Sequence, residues 1–332
     1  MTQIRSLLLI FIASMWCLLD VPAVRAQADL SSWFNPHMGE METRASYQGT
    51  ILPSQPVQNQ PTFLGFSRQD VSLVTPIWQD ELNEWASTAN VRAEFFQTHA
   101  VLPNTSQPFP EELYNIRFGT SYRHQFENDW VGGASVSVGS ASDQPFSTIN
   151  ELVANVSAYL RVPSGERNAW LFSLNYSTTS EFLPGVPIPG IAYFYNPCDW
   201  FQATIGFPFA TITLKPIEDL TFNFSYAPLT VIHMKATYRI LPPLSVYAGL
   251  DWDNEGYFLA NRFDNRERFF YNDQKASLGV QYKVSDNVKL DLSGGYEFNR
   301  YFFEGRNYSD RHFNRVDVGD GPFAAFKVAI QF

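Results

Sequence analysis

The chain has 332 residues, of which 45% are hydrophobic and 16% aromatic, and carries a formal net charge of −10 at pH 7. An acidic balance of this size excludes nucleic acid as a partner, because binding there is driven by basic groups neutralising phosphates. Beyond the N-terminal segment no stretch approaches the roughly 18 to 20 apolar residues that a spanning helix needs, so any residence in a membrane falls to strands.

Met1 to Ala26 reads as a secretory signal peptide. Arg5 supplies the positive n-region, Leu7 to Leu19 the apolar h-region, and Val24-Arg25-Ala26 a cleavage site with small residues at its critical positions. Met15 and Trp16 stand before Cys17 where lipoprotein processing wants small residues. Cleavage removes Arg5, Arg25 and Asp20, which makes the mature chain one unit more acidic, and leaves Cys198 as the sole cysteine, with no intramolecular disulfide. Residues 27–41 are expected to form a short periplasmic segment, followed by a barrel over 42–332.

From there the chain alternates apolar and polar residues in segments of about ten, each bounded by turn residues, as membrane strands do. The first strands are expected near 42–50, 67–78 and 87–100. Tyr114, Ile116, Phe118 and Tyr122 oppose Asn115, Arg117, Ser121 and Arg123, and Leu152, Ala154, Val156, Ala158 and Leu160 oppose Glu151, Asn155, Ser157 and Arg161. In 200–215 the apolar phase shifts across Pro208, which reads as a bulge within one strand. Ile232, Met234, Ala236 and Tyr238 then oppose His233, Lys235, Thr237 and Arg239, and the same phase sets Lys275, Lys283 and Lys289 opposite apolar neighbours. Charges are costly against lipid, so the polar faces are assigned to the lumen.

Short links near 127–129, 163–168, 216–219, 241–243 and 285–287 alternate with longer ones near 140–148, 180–192, 253–270 and 304–321. That alternation predicts an all-β, single transmembrane antiparallel up-and-down β-barrel of about 14 strands, or 12 if the poorly patterned first ones drop out. Trp78, Trp85, Trp130 and Trp170 flank the short links. Trp252, Phe269, Phe270, Tyr301, Phe302 and Phe303 flank the long ones, where aromatic rings favour membrane interfaces.

The last ten residues alternate to a carboxy-terminal Phe, with Phe326, Val328, Ile330 and Phe332 on one face and Lys327 and Gln331 on the other. With the signal peptide and the alternating strands, Lys327-Val328-Ala329-Ile330-Gln331-Phe332 resembles the closing strand of Gram-negative outer-membrane β-barrel proteins. That resemblance implies export, residence in the lipid of the outer membrane, and insertion by the barrel-assembly machinery, which recognises such a terminal strand. Pro189-Gly190-Ile191-Ala192-Tyr193, with Trp200 and Gly206-Phe207-Pro208, is also similar to uncharacterised barrels of a domain-of-unknown-function family.

Motifs for chemistry are sparse. There is no phosphate-binding glycine loop, no His-Glu-x-x-His pair and no Gly-x-Ser-x-Gly elbow. Asp251-Trp252-Asp253-Asn254-Glu255-Gly256 begins like a calcium loop, but Arg262 stands where the closing bidentate acid belongs. His312 lies near Asp310, Asp317 and Asp320 in a polar loop. His124 falls on an apolar strand face with no serine placed to act as a nucleophile. No catalytic residue, metal ligand or cofactor site is assigned.

A polar lumen remains, lined by Arg117, Arg123, Arg161, His233, Lys235, Arg239, Lys275, Lys283 and Lys289. The expected function is a passive channel or transporter for small solutes, with a positive stripe on the wall of the last six residues and a modest preference for anions. A structural or surface-binding barrel acting through its long loops is the alternative, and a membrane-embedded hydrolase a third.

Overall fold

The computed structural model describes residues 38–180, 183–227 and 231–332. The expected signal peptide and most of segment 27–41 lie outside the described residues. Seventeen strands follow: β1 (Arg44–Pro56), β2 (Phe63–Gln79), β3 (Asn83–Thr98), β4 (Glu112–Gln125), β5 (Val131–Ser142), β6 (Leu152–Ser164), β7 (Asn168–Ser177), β8 (Ile188–Cys198), β9 (Phe201–Phe207), β10 (Ala210–Ile217), β11 (Leu220–Ala227), β12 (Val231–Leu241), β13 (Leu244–Tyr257), β14 (Arg268–Lys283), β15 (Val288–Gly305), β16 (Val316–Val318) and β17 (Gly321–Gln331). Each pairs antiparallel with its sequence neighbour, except that β15 pairs with both β16 and β17. β17 closes on β1, with Arg44 opposite Gln331 and Ile51 opposite Ala324. Closure leaves no edge with unpaired backbone groups, which is what permits a sheet to sit in lipid.

The ring therefore has 16 strands, with β16 as a short addition, and not 14 or 12. The difference lies between the expected links 180–192 and 216–219, where a single strand with a bulge in 200–215 is expected. The chain there reverses twice within two residues each time, at Asp199-Trp200 and at Pro208-Phe209, so β8, β9 and β10 occupy that span. The phase shift at Pro208 marks a hairpin turn, which inverts the register just as a bulge does. Sixteen strands matter for function, because a ring of that size encloses more space than side chains alone fill, whereas about eight would be plugged.

Strand parity sorts the walls. Leu278 and Leu292 are 69% and 63% exposed on the outer surface, and Phe118, Val138, Ile205 and Phe222 are also exposed there. A continuous outer band of exposed apolar side chains, with charges turned inward, is the surface of a membrane-spanning barrel. At the end with short turns, Trp78, Trp85, Trp130, Trp170 and Trp200 stand exposed. The aromatics expected as the matching belt at the other end are placed differently. Trp252 and Tyr301 are buried and Phe269, Phe270, Phe302 and Phe303 fully so, together with Tyr271, because the loop-end parts of β14 and β15 are packed on both faces.

Candidate functional site

The loop end of the barrel is divided by a strap. In a ring of sixteen, β5 and β13 stand eight strands apart, on opposite walls. Yet Phe258, just past β13, donates its N–H to Ala141 O at 2.8 Å, and Asp143 N–H returns to Phe258 O at 3.3 Å. Ala260 N–H donates to Asp143 Oδ1 at 2.9 Å, which fixes the same crossing.

One lobe, between β13 and β5 by way of β1, is filled at the loop end. Loop 99–111 folds inward and buries Ala100, Leu102 and Phe109 against Leu64, Phe66, Phe96, Phe269 and Phe302. Phe109 packs edge-on against Phe96, Phe269 and Phe302 at centroid separations of 5.3, 5.1 and 4.9 Å, the T-shaped geometry that ring quadrupoles favour. Beneath this aromatic plug lies a layer of paired charge. Arg68 meets Glu94 at 2.5 Å and Glu255 at 3.7 Å. Arg92 meets Asp70 at 2.5 Å and also pairs with Glu255. Lys275 lies between Asp273 and Glu297, 3.2 Å from the latter, and Arg300 adds a second cation to Glu297 at 3.2 Å. Buried charges persist only when paired in this way.

The other lobe, from β5 to β13 by way of β9, stays open at the loop end, and below the strap the space extends across the lumen to β1–β4, β14, β15 and β17. A cavity of about 1560 Å³ begins at the turn end beside Arg44, Lys283, Asn287 and Gln331, and reaches the loop end beside Thr179, Ser180, Ile188, Pro208 and Ala227. Between them it is lined by short polar side chains such as Asn90, Asn115, Ser121, Ser137, Asn155 and Asn175. Arg268 borders its upper end, donating to Thr179 O at 2.6 Å and to Ser180 O at 3.4 Å, so the link after β7 is drawn toward β14.

The residues expected in the lumen fall into several settings. Arg117, Arg123, Lys283 and Lys289 border the cavity, Arg123 pairing with Glu84 at 2.7 Å. Arg161 is half-buried at the turn end of β6. His233 lies 2.5 Å from Asp251, and Lys235 sits 3.5 Å above the ring of Tyr247, whose hydroxyl donates to Asp291 at 2.9 Å. Lys275 belongs to the charged layer under the plug. Arg239 and Lys283 stand at the turn-end rim, Arg239 bonded to Asp219 and Glu218 at 2.7 and 2.9 Å, and Lys283 to Asp286 at 2.6 Å. Lys283 holds the Asp286 carboxyl below the ordinary carboxylate range. The wall expected to carry a positive stripe thus also carries Asp251, Asp273, Asp291 and Glu297, and the cavity lining as a whole has eight basic and six acidic residues among those described. Of the closing strand, Phe326, Ile330 and Phe332 are exposed on the outer surface and Val328 is half-buried.

The remaining candidates sort by contact. Asp251 to Gly256 is part of β13 and not a loop, so Asp251, Asp253 and Glu255 are strung out along one face of an extended strand instead of wrapping an ion. Among the described residues no cluster of three potential metal ligands occurs. His124 Nδ1 lies 2.8 Å from Asn83 Oδ1, which also accepts from Tyr122 Oη at 2.7 Å, and its ring packs on Phe126.

The plug, the strap and the charged layer were missed by sequence reasoning. One signal was present: runs of adjacent aromatics, Phe269-Phe270-Tyr271 and Tyr301-Phe302-Phe303, cannot belong to a strand with one face on lipid and one on water.

No protein family and no curated protein matches the chain. Solved structures similar to it include an outer membrane channel from Pseudomonas putida F1, at 9% identity over 90% of this chain and 98% of that one, with a TM-score of 0.38. OccAB1 from Acinetobacter baumannii is similar at 11% identity over 92% and 99%, with a TM-score of 0.37. The translocator domain of the autotransporter NalP from Neisseria meningitidis is similar at 10% identity over 91% and 92%, with a TM-score of 0.33.

Proposed function

We propose that the chain is an outer-membrane barrel acting as a passive channel for small solutes, with its turn end in the periplasm and its loop end outside. The observation that carries this reading is the cavity of about 1560 Å³ bordered by residues of both ends of the barrel. Its lining of Asn, Ser and Thr offers hydrogen bonds to a solute without a fixed site to trap it, as conduction requires. Near balance of basic and acidic groups supports weak ionic selectivity, in place of the anion preference that a one-signed wall would give. The outward alternation of Phe326, Val328, Ile330 and Phe332 fits a strand recognised by the barrel-assembly machinery during insertion.

Liposome swelling tests the reading. Vesicles holding the refolded chain should swell in arabinose and glucose and swell progressively less in larger oligosaccharides. Swelling no faster than protein-free vesicles in any sugar would overturn it.

A further inference from the structure

We propose that the passage also opens sideways, over a low stretch of wall formed by β9, β10 and β11, into the lipid leaflet at the loop end, where it admits amphipathic small molecules dissolved in that leaflet. This rests on the channel reading and names a substrate class for the same cavity.

The wall is uneven in height. β9, β10 and β11 have 7, 8 and 8 residues, against 16 and 18 in β14 and β15. At a rise of about 3.3 Å per residue and a tilt of about 40°, β9 spans roughly 18 Å along the barrel axis and β15 roughly 45 Å. The apolar band of an outer-membrane barrel is about 25 Å tall, so the short strands fall short of it by several ångströms. The shortfall lies at the loop end, because at the other end the β8–β9 turn carries Trp200 exposed in line with the belt of Trp78, Trp85, Trp130 and Trp170.

The low edge is well defined. β9 and β10 pair up to Ile205 opposite Ala210, and Pro208 and Phe209 form the reversal. Gly190 and Gly206 let this hairpin sit tightly on β8: a Cβ at Gly190 would meet Phe207 O at 2.9 Å and Pro208 Cδ at 3.1 Å, and one at Gly206 would collide with Ile191 O. The cavity reaches this edge at Ile188, Pro208 and Ala227.

Below the edge the inner wall changes character. Leu171, Ala192, Phe194 and Phe209 pack into a buried apolar cluster that reaches the cavity at Ala227, and with Ile188, Phe207 and Pro208 this gives the cavity an apolar border. The facing wall presents Asn90, Asn115, Ser121 and Ser137. A molecule with one apolar and one polar part finds a surface for each, and a low wall lets its apolar part leave lipid without crossing water.

The test places single cysteines in a Cys198→Ser background at Ala227 and Ile188, beside the low edge, and at Asn155 and Ser137, which border the cavity under the longer strands β6 and β5. Each full-length variant is labelled with bimane and refolded into phosphatidylcholine vesicles whose acyl chains carry bromine, with folding checked by heat-modifiable gel mobility. Two positions on each side keep the comparison intact if one variant does not fold. Fluorescence at Ala227 and Ile188 should be largely lost to the brominated chains and that at Asn155 and Ser137 largely retained, and palmitate added to unbrominated vesicles should shift bimane emission only at the first pair. Equal quenching at all four positions, or none at Ala227 and Ile188, would overturn the lateral opening. If swelling in sugars persisted in that case, the channel reading would stand without it.

Discussion

Replacing Lys275 with Met should destabilise the barrel sharply, although the substitution removes a charge from a chain interior. Lys275 is 11% exposed at its side chain and bridges Asp273 and Glu297, both fully buried. Without the ammonium, two carboxylates remain in a site with little water, and Arg300, 3.2 Å from Glu297, is the cation left in salt-bridge contact with them. Removing one partner from a buried ionic cluster costs about 3–5 kcal/mol, most of it the desolvation of the charge left behind. With a urea slope of about 3 kcal/mol per molar, at the upper end for small proteins, the unfolding midpoint should fall by about 1–1.7 M. Tryptophan fluorescence during urea unfolding of the vesicle-inserted chain reads this directly. The variant that also carries Asp273→Asn should recover most of the loss, since Glu297 keeps Arg300 as its partner and the carboxylate left without Lys275 is gone. Lys283→Met provides the contrast, because its pair with Asp286 lies in solvent at the rim and should leave the midpoint nearly unchanged. Equal midpoints for Lys275→Met and Lys283→Met would refute the account of the charged layer.

Three further outcomes follow from other parts of the barrel. In a Cys198→Ser background, cysteine at Lys235 should react with a charged thiol reagent and cysteine at Met234 should not, since their positions on β12 face opposite sides; the reverse would invert the register. Gly206→Val should cost about 1–3 kcal/mol or more in the same urea assay, because its side chain would press on Ile191 O and Ala192 Cα across the β8–β9 ladder. At the β2–β3 turn, N–H donation from Leu82, together with Asn83, holds the Asp80 carboxyl below its ordinary 3.8. A lowered folded-state value means that its stabilisation is complete above the ordinary value and is lost as pH falls through the folded one, so the gap between wild type and Asp80→Asn should narrow below about pH 4; a gap independent of pH would exclude this.

Period-two alternation carried most of the wall, because one face in lipid and the other in water imposes it on every strand. Ala276 to Tyr282 and Leu152 to Leu160 are legible for that reason. Strand number was not, because a two-residue reversal such as Asp199-Trp200 leaves almost no gap between strands, and at Pro208 a reversal and a bulge shift the apolar phase alike. The filling of the lumen was hidden for another reason. Contacts of Phe109 with Phe269 and Phe302 join residues far apart in sequence, and nothing local in loop 99–111 says that it folds inward. Charges were assigned inward from their cost in lipid, but pairing partners such as Glu94 for Arg68 depend on which strands are neighbours and on strand height.

The most direct measurement of the central claim is single-channel conductance of Asn175→Cys in a Cys198→Ser background, before and after a charged thiol reagent. Asn175 borders the cavity in the open lobe, on the inner face of β7. Steady conductance that steps down on modification would match a passage that runs past Asn175 and leaves the barrel at the loop end on the β5–β13 side. Absence of conductance before modification, or conductance indifferent to it, would contradict that passage.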